Sequence, residues 1–131
     1  MDIKKAIPIG IESYKEMIDR DYYYIDKTRL IVDLLTQKSK VTLFTRPRRF
    51  GKTLAQSMLR TFFEVEIDSD GKAVDNSGYF AGKKIMGAGV QYTEHMGKYP
   101  VIFLSMKSAK QPDFEMAYSR VLTDIVSEFE R

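Results

Sequence analysis

The strongest constraint on the fold is a change of pattern across residues 41–63, which read VTLFTRPRRFGKTLAQSMLRTFF. The first five residues, VTLFT, are rich in β-branched and aromatic side chains, as buried strands are. A basic stretch follows, and apolar residues then recur at helical spacing, at Leu54, Met58, Leu59, Phe62 and Phe63. The pattern predicts a buried strand, a loop rich in cations and an amphipathic helix, in that order.

The rest of the chain extends this order. Helices are predicted within residues 12–21 and after Thr28, a candidate N-cap, in an N-terminal arm and helix that cover residues 1–40. Residues 99–106, YPVIFLSM, have the composition of a second strand, and the segment from Pro112 onwards has the pattern of an amphipathic helix with proline in its first turn. Residues 41–131 are therefore expected to run strand, helix, strand, helix.

This order predicts an α/β fold in which a parallel sheet is flanked by helices and the crossovers are right-handed. Two strands make a small sheet, and the last helix reaches Arg131 without a glycine or proline stop signal. We therefore expect an incomplete fold that is one part of a longer architecture.

The basic loop ends in FGKT, as does the pattern G-x-x-x-x-G-K-[ST] of phosphate-binding loops. In such loops, free backbone N–H groups between a strand and a helix surround the phosphates of a nucleotide. Gly51 would let the backbone approach the phosphates, Lys52 would reach the β- and γ-phosphates, and the Thr53 hydroxyl would bind Mg²⁺. The candidate nucleotide-binding residues are Pro47, Arg48, Arg49, Phe50, Gly51, Lys52, Thr53 and Leu54, with Thr53 as the candidate metal ligand.

Arg46 stands where this pattern requires its first glycine. Because proline favours β or PPII angles in the residue before it, Arg46 is expected to continue the strand, so that the loop begins at Pro47. Residues 46–52 contain four cations and no acid, and a triphosphate would neutralise them. Two alternatives stay open: a nucleic-acid or anion-binding module that uses Arg46, Arg48 and Arg49, and a P-loop kinase for a small substrate.

Four segments resemble, in this order, a family of predicted AAA-ATPase-like bacterial proteins: YYYIDKTRLIVDLL, LFTRPRRFGKTLAQSML, FAGKKI and YPVIFLSMK. That family is similar to the STAND and archaeal-type P-loop ATPases, and arginine in place of the first glycine is ordinary within it. The resemblance spans nearly the whole chain. It implies that residues 1–131 are the N-terminal part of a P-loop NTPase-like core that binds ATP with Mg²⁺. Complete members commonly carry a restriction-endonuclease-like domain downstream, to which nothing in this sequence corresponds.

Hydrolysis of ATP requires an acidic residue at the end of a second strand, which holds Mg²⁺ or places the attacking water. The second predicted strand has Ser105 at that place. The catalytic residues therefore stay unknown, and hydrolysis is expected to need residues beyond Arg131.

Composition adds few limits. The net charge of +3 is too small to indicate nucleic-acid binding by itself, and the lack of cysteine suits a cytoplasmic protein. No stretch approaches the ~18 apolar residues of a membrane span, so no membrane contact is expected. In the segment DYYYIDK, one tyrosine could stack on an adenine, but packing against the edge of the domain is favoured.

Overall fold

The regular structure of this chain is helical over residues 4–131, the residues that the computed structural model describes. Its α-helices are α1 (Tyr14–Asp19), α2 (Arg29–Gln37), α3 (Lys52–Phe63), α4 (Val90–Thr93) and α5 (Phe114–Glu130). Short 3₁₀ turns cover Ser77–Phe80, Lys84–Gly87 and Met106–Ala109. The chain divides into two compact units, Met1–Pro100 and Val101–Arg131. None of the helices in the described residues has both the length and the apolar character that crossing a bilayer requires.

Local polar side chains mark the beginnings of α1 and α2 in the first unit. The Ser13 side chain accepts a hydrogen bond from the Glu16 amide, and α1 begins at the residue after Ser13. Helix α2 begins after Thr28, as predicted, although the capping acceptor is the Asp26 carboxylate, which accepts from the Thr28 amide at 2.9 Å. Helix α3 begins directly after Gly51. The three helices predicted for this unit are therefore confirmed.

The core of the first unit is built around three aromatic rings. Tyr14 of α1 stacks on Phe80 with ring centroids 5.2 Å apart, and Phe62 of α3 meets the same Phe80 ring edge-on at 5.3 Å. Complete burial of a large apolar side chain stabilises a fold by about 1.5–3 kcal/mol, so these rings hold α1 against α3. The other fully buried members of the cluster are Ile31, Met58 and Ile85.

The parallel sheet predicted from the sequence is absent, and the predicted α/β, P-loop NTPase-like core is therefore wrong: residues 4–131 contain no β-strand. Residues 41–45 form no ladder, and the Val41 and Leu43 side chains are 85% and 83% exposed where burial was expected. Backbone pairing in the described chain is limited to isolated bridges, for example between Glu64 and Tyr99. A strand needs a neighbouring backbone for its N–H and C=O groups, and a β-branched composition does not supply one.

The second unit, Val101–Arg131, contains an extended segment, one 3₁₀ turn and α5. The Ser108 hydroxyl donates a hydrogen bond to the Asp124 carboxylate, which ties the 3₁₀ turn to α5. Asp113 caps α5 by accepting from the Met116 amide at 2.8 Å. The predicted amphipathic helix is confirmed, but Pro112 lies before the cap and not in the first turn. The predicted strand over residues 99–106 does not form.

Candidate functional site

The loop that precedes α3 turns at two residues with left-handed backbone angles. Arg49 has φ +67° and Gly51 has φ +75°, and α3 begins at Lys52. Glycine adopts such angles freely, whereas for a residue with a Cβ they cost roughly 1–2 kcal/mol. The amides in the first turn of a helix have no acceptor within the helix. The turn at Gly51 therefore places the loop next to backbone N–H groups that have no acceptor within α3.

The Lys52 side chain closes this loop. Lys52 Nζ donates to the carbonyl oxygen of Arg46 at 2.8 Å, and Arg46 Nη1 donates to the carbonyl oxygen of Thr45 at 2.9 Å. The Arg46 backbone thus belongs to the loop while its side chain turns back toward Thr45. The expectation that Arg46 continues a strand is wrong, because no strand forms there. Glycine is not needed at this position, because Arg46 does not have the positive φ that favours glycine, and the contact with Lys52 uses a backbone oxygen.

Cations without acidic partners lie in and beside this loop. Five side chains form the group, and none of them makes an ion pair with a carboxylate of residues 4–131: Lys27, Arg46, Arg48, Arg49 and Lys52. Like charges at this density repel one another, and an anion with several charges would lower that repulsion. The loop has the electrostatic character of an anion site.

The eight predicted nucleotide-binding residues lie together in this loop and in the first turn of α3. Five of them are exposed, namely Pro47, Arg48, Arg49, Phe50 and Lys52, and the other three are half-buried, namely Gly51, Thr53 and Leu54. Leu54 packs against the aromatic core, so its side chain has a structural role. The part that each residue plays toward a nucleotide, including Thr53 as a Mg²⁺ ligand, stays a prediction.

Asp26 and Thr28 join two separate parts of the first unit. Asp26 Oδ1 accepts from the Thr28 hydroxyl at 2.6 Å, and Asp26 Oδ2 accepts from the Lys84 amide at 2.8 Å. The Thr28 hydroxyl accepts in turn from the Ile85 amide at 3.1 Å. Partial burial alone would raise the pKa of Asp26, but the hydrogen bonds from Thr28 and Lys84 hold that pKa below its ordinary value. Two of the segments that carry the family resemblance, YYYIDKT and FAGKKI, therefore meet at these side chains.

Lys27 is a site residue that the sequence motif did not indicate. It lies between Asp26 and Thr28, whose hydrogen bonds fix the backbone on either side of it. A Cβ built on Gly51 would lie 3.6 Å from Lys27 Nζ, so this ammonium group stands directly against the turn. The exposure of the segment alternates from Tyr22 to Thr28, and Lys27 is on the exposed side. The sequence itself has no such alternation, because residues 22–25 read YYYI, so the exposed position of Lys27 becomes visible only in the structure.

A cavity of about 420 Å³ opens beside the loop. Its wall combines three parts of the chain, the N-terminal arm, the segment around the tyrosines, and the loop with the start of α3: Ile7, Pro8, Met17, Tyr23, Tyr24, Ile25, Lys27, Arg49, Phe50, Gly51, Leu54 and Ala55. The wall is mostly apolar, and its two cations are at the end nearest the loop. Tyr24 packs edge-on against Tyr14 at 5.4 Å, so packing is confirmed for this one tyrosine of the segment, whereas Tyr23 is 61% exposed.

Ser105 has a structural role in the second unit. Its hydroxyl accepts from the Lys107 amide at 3.4 Å and caps the 3₁₀ turn Met106–Ala109. The predicted second strand would have carried the catalytic acid at this position, and that strand does not form. The location of that acid stays unknown.

Comparison with known proteins places the chain in a family. The family model described as Predicted AAA-ATPase matches residues 8–131. An uncharacterized protein in the vnfD 5′ region of Azotobacter chroococcum mcd 1 is 41% identical over 61 residues, which are 46% of this chain and only 12% of that protein. No solved structure matches the chain. Because the family model covers nearly the whole sequence, the chain belongs to the AAA-ATPase-like family.

Proposed function

We propose that this chain is the ATP-binding part of an AAA-ATPase-like protein, with the phosphates and Mg²⁺ held by residues 47–54. The observation that carries the proposal is the group of cations without acidic partners at the N-terminus of α3, in a chain of this family. Backbone donors and fixed positive charge at a helix N-terminus form the usual environment of a bound phosphate. ATP is the anion that the family implies.

The residues present fit a triphosphate. Lys52 Nζ rests on a neutral carbonyl oxygen, and a phosphate oxygen would be the stronger acceptor because hydrogen bonds between charged groups are stronger. Gly51 has no Cβ, and Lys27 Nζ lies on the side where a Cβ would stand, so a phosphate oxygen that approached this backbone would meet a cation. The Thr53 hydroxyl, in the first turn of α3, would hold Mg²⁺, which in turn would neutralise phosphate charge.

The proposal is tested by thermal unfolding of the chain with and without Mg-ATP. Ligand at about 100 times its dissociation constant stabilises the folded state by about 2.7 kcal/mol, which raises the Tm by roughly 10 °C for a unit of this size. Lys52→Ala is expected to remove this shift. Lys72→Ala is the matched control, because Lys72 is an exposed lysine in a turn outside the loop.

Absence of any Tm shift in the wild-type chain at millimolar Mg-ATP would contradict the proposal. An equal shift in Lys52→Ala and wild type would contradict the assignment of the loop. The alternative of a nucleic-acid or anion-binding module predicts salt-sensitive binding that survives Lys52→Ala and fails when Arg46, Arg48 and Arg49 are replaced together. No observation in the structure favours that alternative.

Hydrolysis is proposed to need residues outside this chain. The basis is the sequence, in which the apolar segment 99–106 carries Ser105 and no acid; in the structure Ser105 caps a 3₁₀ turn. The chain incubated with Mg-ATP is therefore expected to bind it without releasing phosphate. A cytoplasmic location and a relation to STAND and archaeal-type ATPases stay predictions.

A further inference from the structure

Several exposed apolar side chains line the cavity beside the loop. Ile25, Tyr23 and Phe50 are 65%, 61% and 58% exposed, and all three line the same cavity. Apolar groups that lie together at one opening, with cations at one end of it, mark a ligand site more often than chance exposure does. The cavity volume of about 420 Å³ lies within the range of roughly 300–1,000 Å³ that is usual for small-molecule sites.

The alternation of the tyrosine segment explains why these groups face the cavity. In an extended chain, successive side chains point to opposite sides. Tyr24, Asp26 and Thr28 are turned inward, where they make the packing and hydrogen bonds described above. Tyr23, Ile25 and Lys27 are on the more exposed side and line the cavity, to which the Tyr24 ring also contributes. The inward residues thus hold the segment in place while the outward residues present an aromatic ring, an aliphatic group and a cation.

We propose that this cavity binds the nucleoside part of the ATP molecule, with its base against the rings of Tyr23 and Phe50. The inference rests on the proposed function, because the phosphates of the same ligand would occupy the adjoining loop. Phe50 and Gly51 belong to both the cavity and the loop, so the two sites are continuous.

The chemistry of the wall selects an amphipathic ligand. Lys27 and Arg49 are the charged lining residues, and both are cations at the loop end of the cavity. The remainder offers rings and aliphatic groups, which suit a flat heterocycle better than a sugar chain or a peptide with charged side chains. Aromatic side chains bind nucleobases by stacking, and the contact tolerates any base because every base has a π face. Binding by this cavity is therefore expected to discriminate little between ATP and GTP.

Isothermal titration calorimetry of the full chain with Mg-ATP and with Mg-tripolyphosphate separates the two parts of the site. Tripolyphosphate carries the charges without the nucleoside, so it reports the loop alone. The wild-type chain is expected to bind Mg-ATP more tightly than Mg-tripolyphosphate. Tyr23→Ala is expected to weaken Mg-ATP roughly 5- to 100-fold while it leaves tripolyphosphate within about twofold of wild type. Phe50→Leu, which keeps bulk and removes the ring, is expected to act in the same direction.

Tyr22→Ala is the matched control, because Tyr22 is the neighbouring tyrosine and does not line this cavity. Circular dichroism of each variant checks that the fold is retained, as the exposure of Tyr23 and Phe50 leads us to expect. Two results would overturn the assignment of the cavity: equal affinity of the wild-type chain for the two ligands, or an equal decrease in affinity for both ligands in Tyr23→Ala and Phe50→Leu. Neither result would contradict phosphate binding by the loop. Failure of the wild-type chain to bind either ligand would instead overturn the proposed function and the inference with it.

Discussion

Replacement of Asp26 by alanine tests how the segment beside the loop is held. The Asp26 carboxylate accepts from the Thr28 amide at 2.9 Å, from the Thr28 hydroxyl at 2.6 Å and from the Lys84 amide at 2.8 Å. In the variant, water can accept from the amide of the exposed Lys84. Thr28 is fully buried, so its amide and hydroxyl are left without an acceptor. A buried donor left without an acceptor costs about 1–3 kcal/mol. Asp26→Ala is therefore expected to lower the free energy of unfolding by about 3 kcal/mol, and the Tm by roughly 10 °C.

Urea denaturation followed by circular dichroism measures this change. Asp26→Asn keeps an oxygen for Thr28 but turns an NH₂ group toward the Lys84 amide, so a smaller loss of about 1 kcal/mol is expected. Asp33→Ala is the control, because Asp33 is an exposed acid on α2 and its loss is expected to change stability by less than about 0.5 kcal/mol. If Asp26→Ala cost no more than Asp33→Ala, these hydrogen bonds would not hold the segment, and the reasoning would be refuted.

Three further predictions concern the core, the acid range and the turn. Phe62→Ala is expected to lower the free energy of unfolding by about 3–5 kcal/mol in urea denaturation, because Phe62 of α3 is fully buried against Phe80; a loss below about 1 kcal/mol would contradict that packing. Hydrogen bonds from Lys15 and then Asn76 hold the pKa of Glu66 below its ordinary value of 4.5, so the stability they contribute is present above about pH 4.5 and is lost as the pH falls below it. Urea titrations at pH 3 to 6 should show this loss, and the free energy of unfolding of Glu66→Gln is expected to depend less on pH over that range; an equal dependence in both chains would contradict the assignment. Gly51→Ala is expected to lower stability by about 1 kcal/mol in the same assay, because φ +75° strains alanine while the added Cβ has ordinary contacts; an unchanged midpoint would refute this.

The helices could be predicted from the sequence because a helix forms its hydrogen bonds within one segment. The apolar spacing from Leu54 to Phe63 is enough to define α3, and the same holds for α5. A strand is different, because its partners come from elsewhere in the chain. The composition of residues 41–45 indicated an apolar extended segment but carried no information about a neighbouring backbone. For that reason the predicted sheet failed while every helix pattern held.

The loop could be predicted from the sequence, whereas the groups packed around it could not. Residues 47–54 could be chosen from the spacing of FGKT alone, because that motif is continuous in sequence. Lys27 reaches Gly51 across a long stretch of chain, and the cavity needs the N-terminal arm, the tyrosine segment and the loop together. These segments are brought together by the packing of Tyr14, Phe62 and Phe80, and no local sequence pattern predicts that packing.

The contact between Lys52 Nζ and the Arg46 carbonyl has a consequence for recognising such loops in other chains. A sequence search that insists on glycine at the first position of the loop rejects this chain. Yet the group used at that position is a backbone oxygen, which every amino acid possesses. What position 46 must supply is a backbone compatible with the following Pro47, and many residue types meet that condition. A search profile that leaves this position free and retains the proline, Gly51 and Lys52 would find loops of this kind that the stricter pattern overlooks.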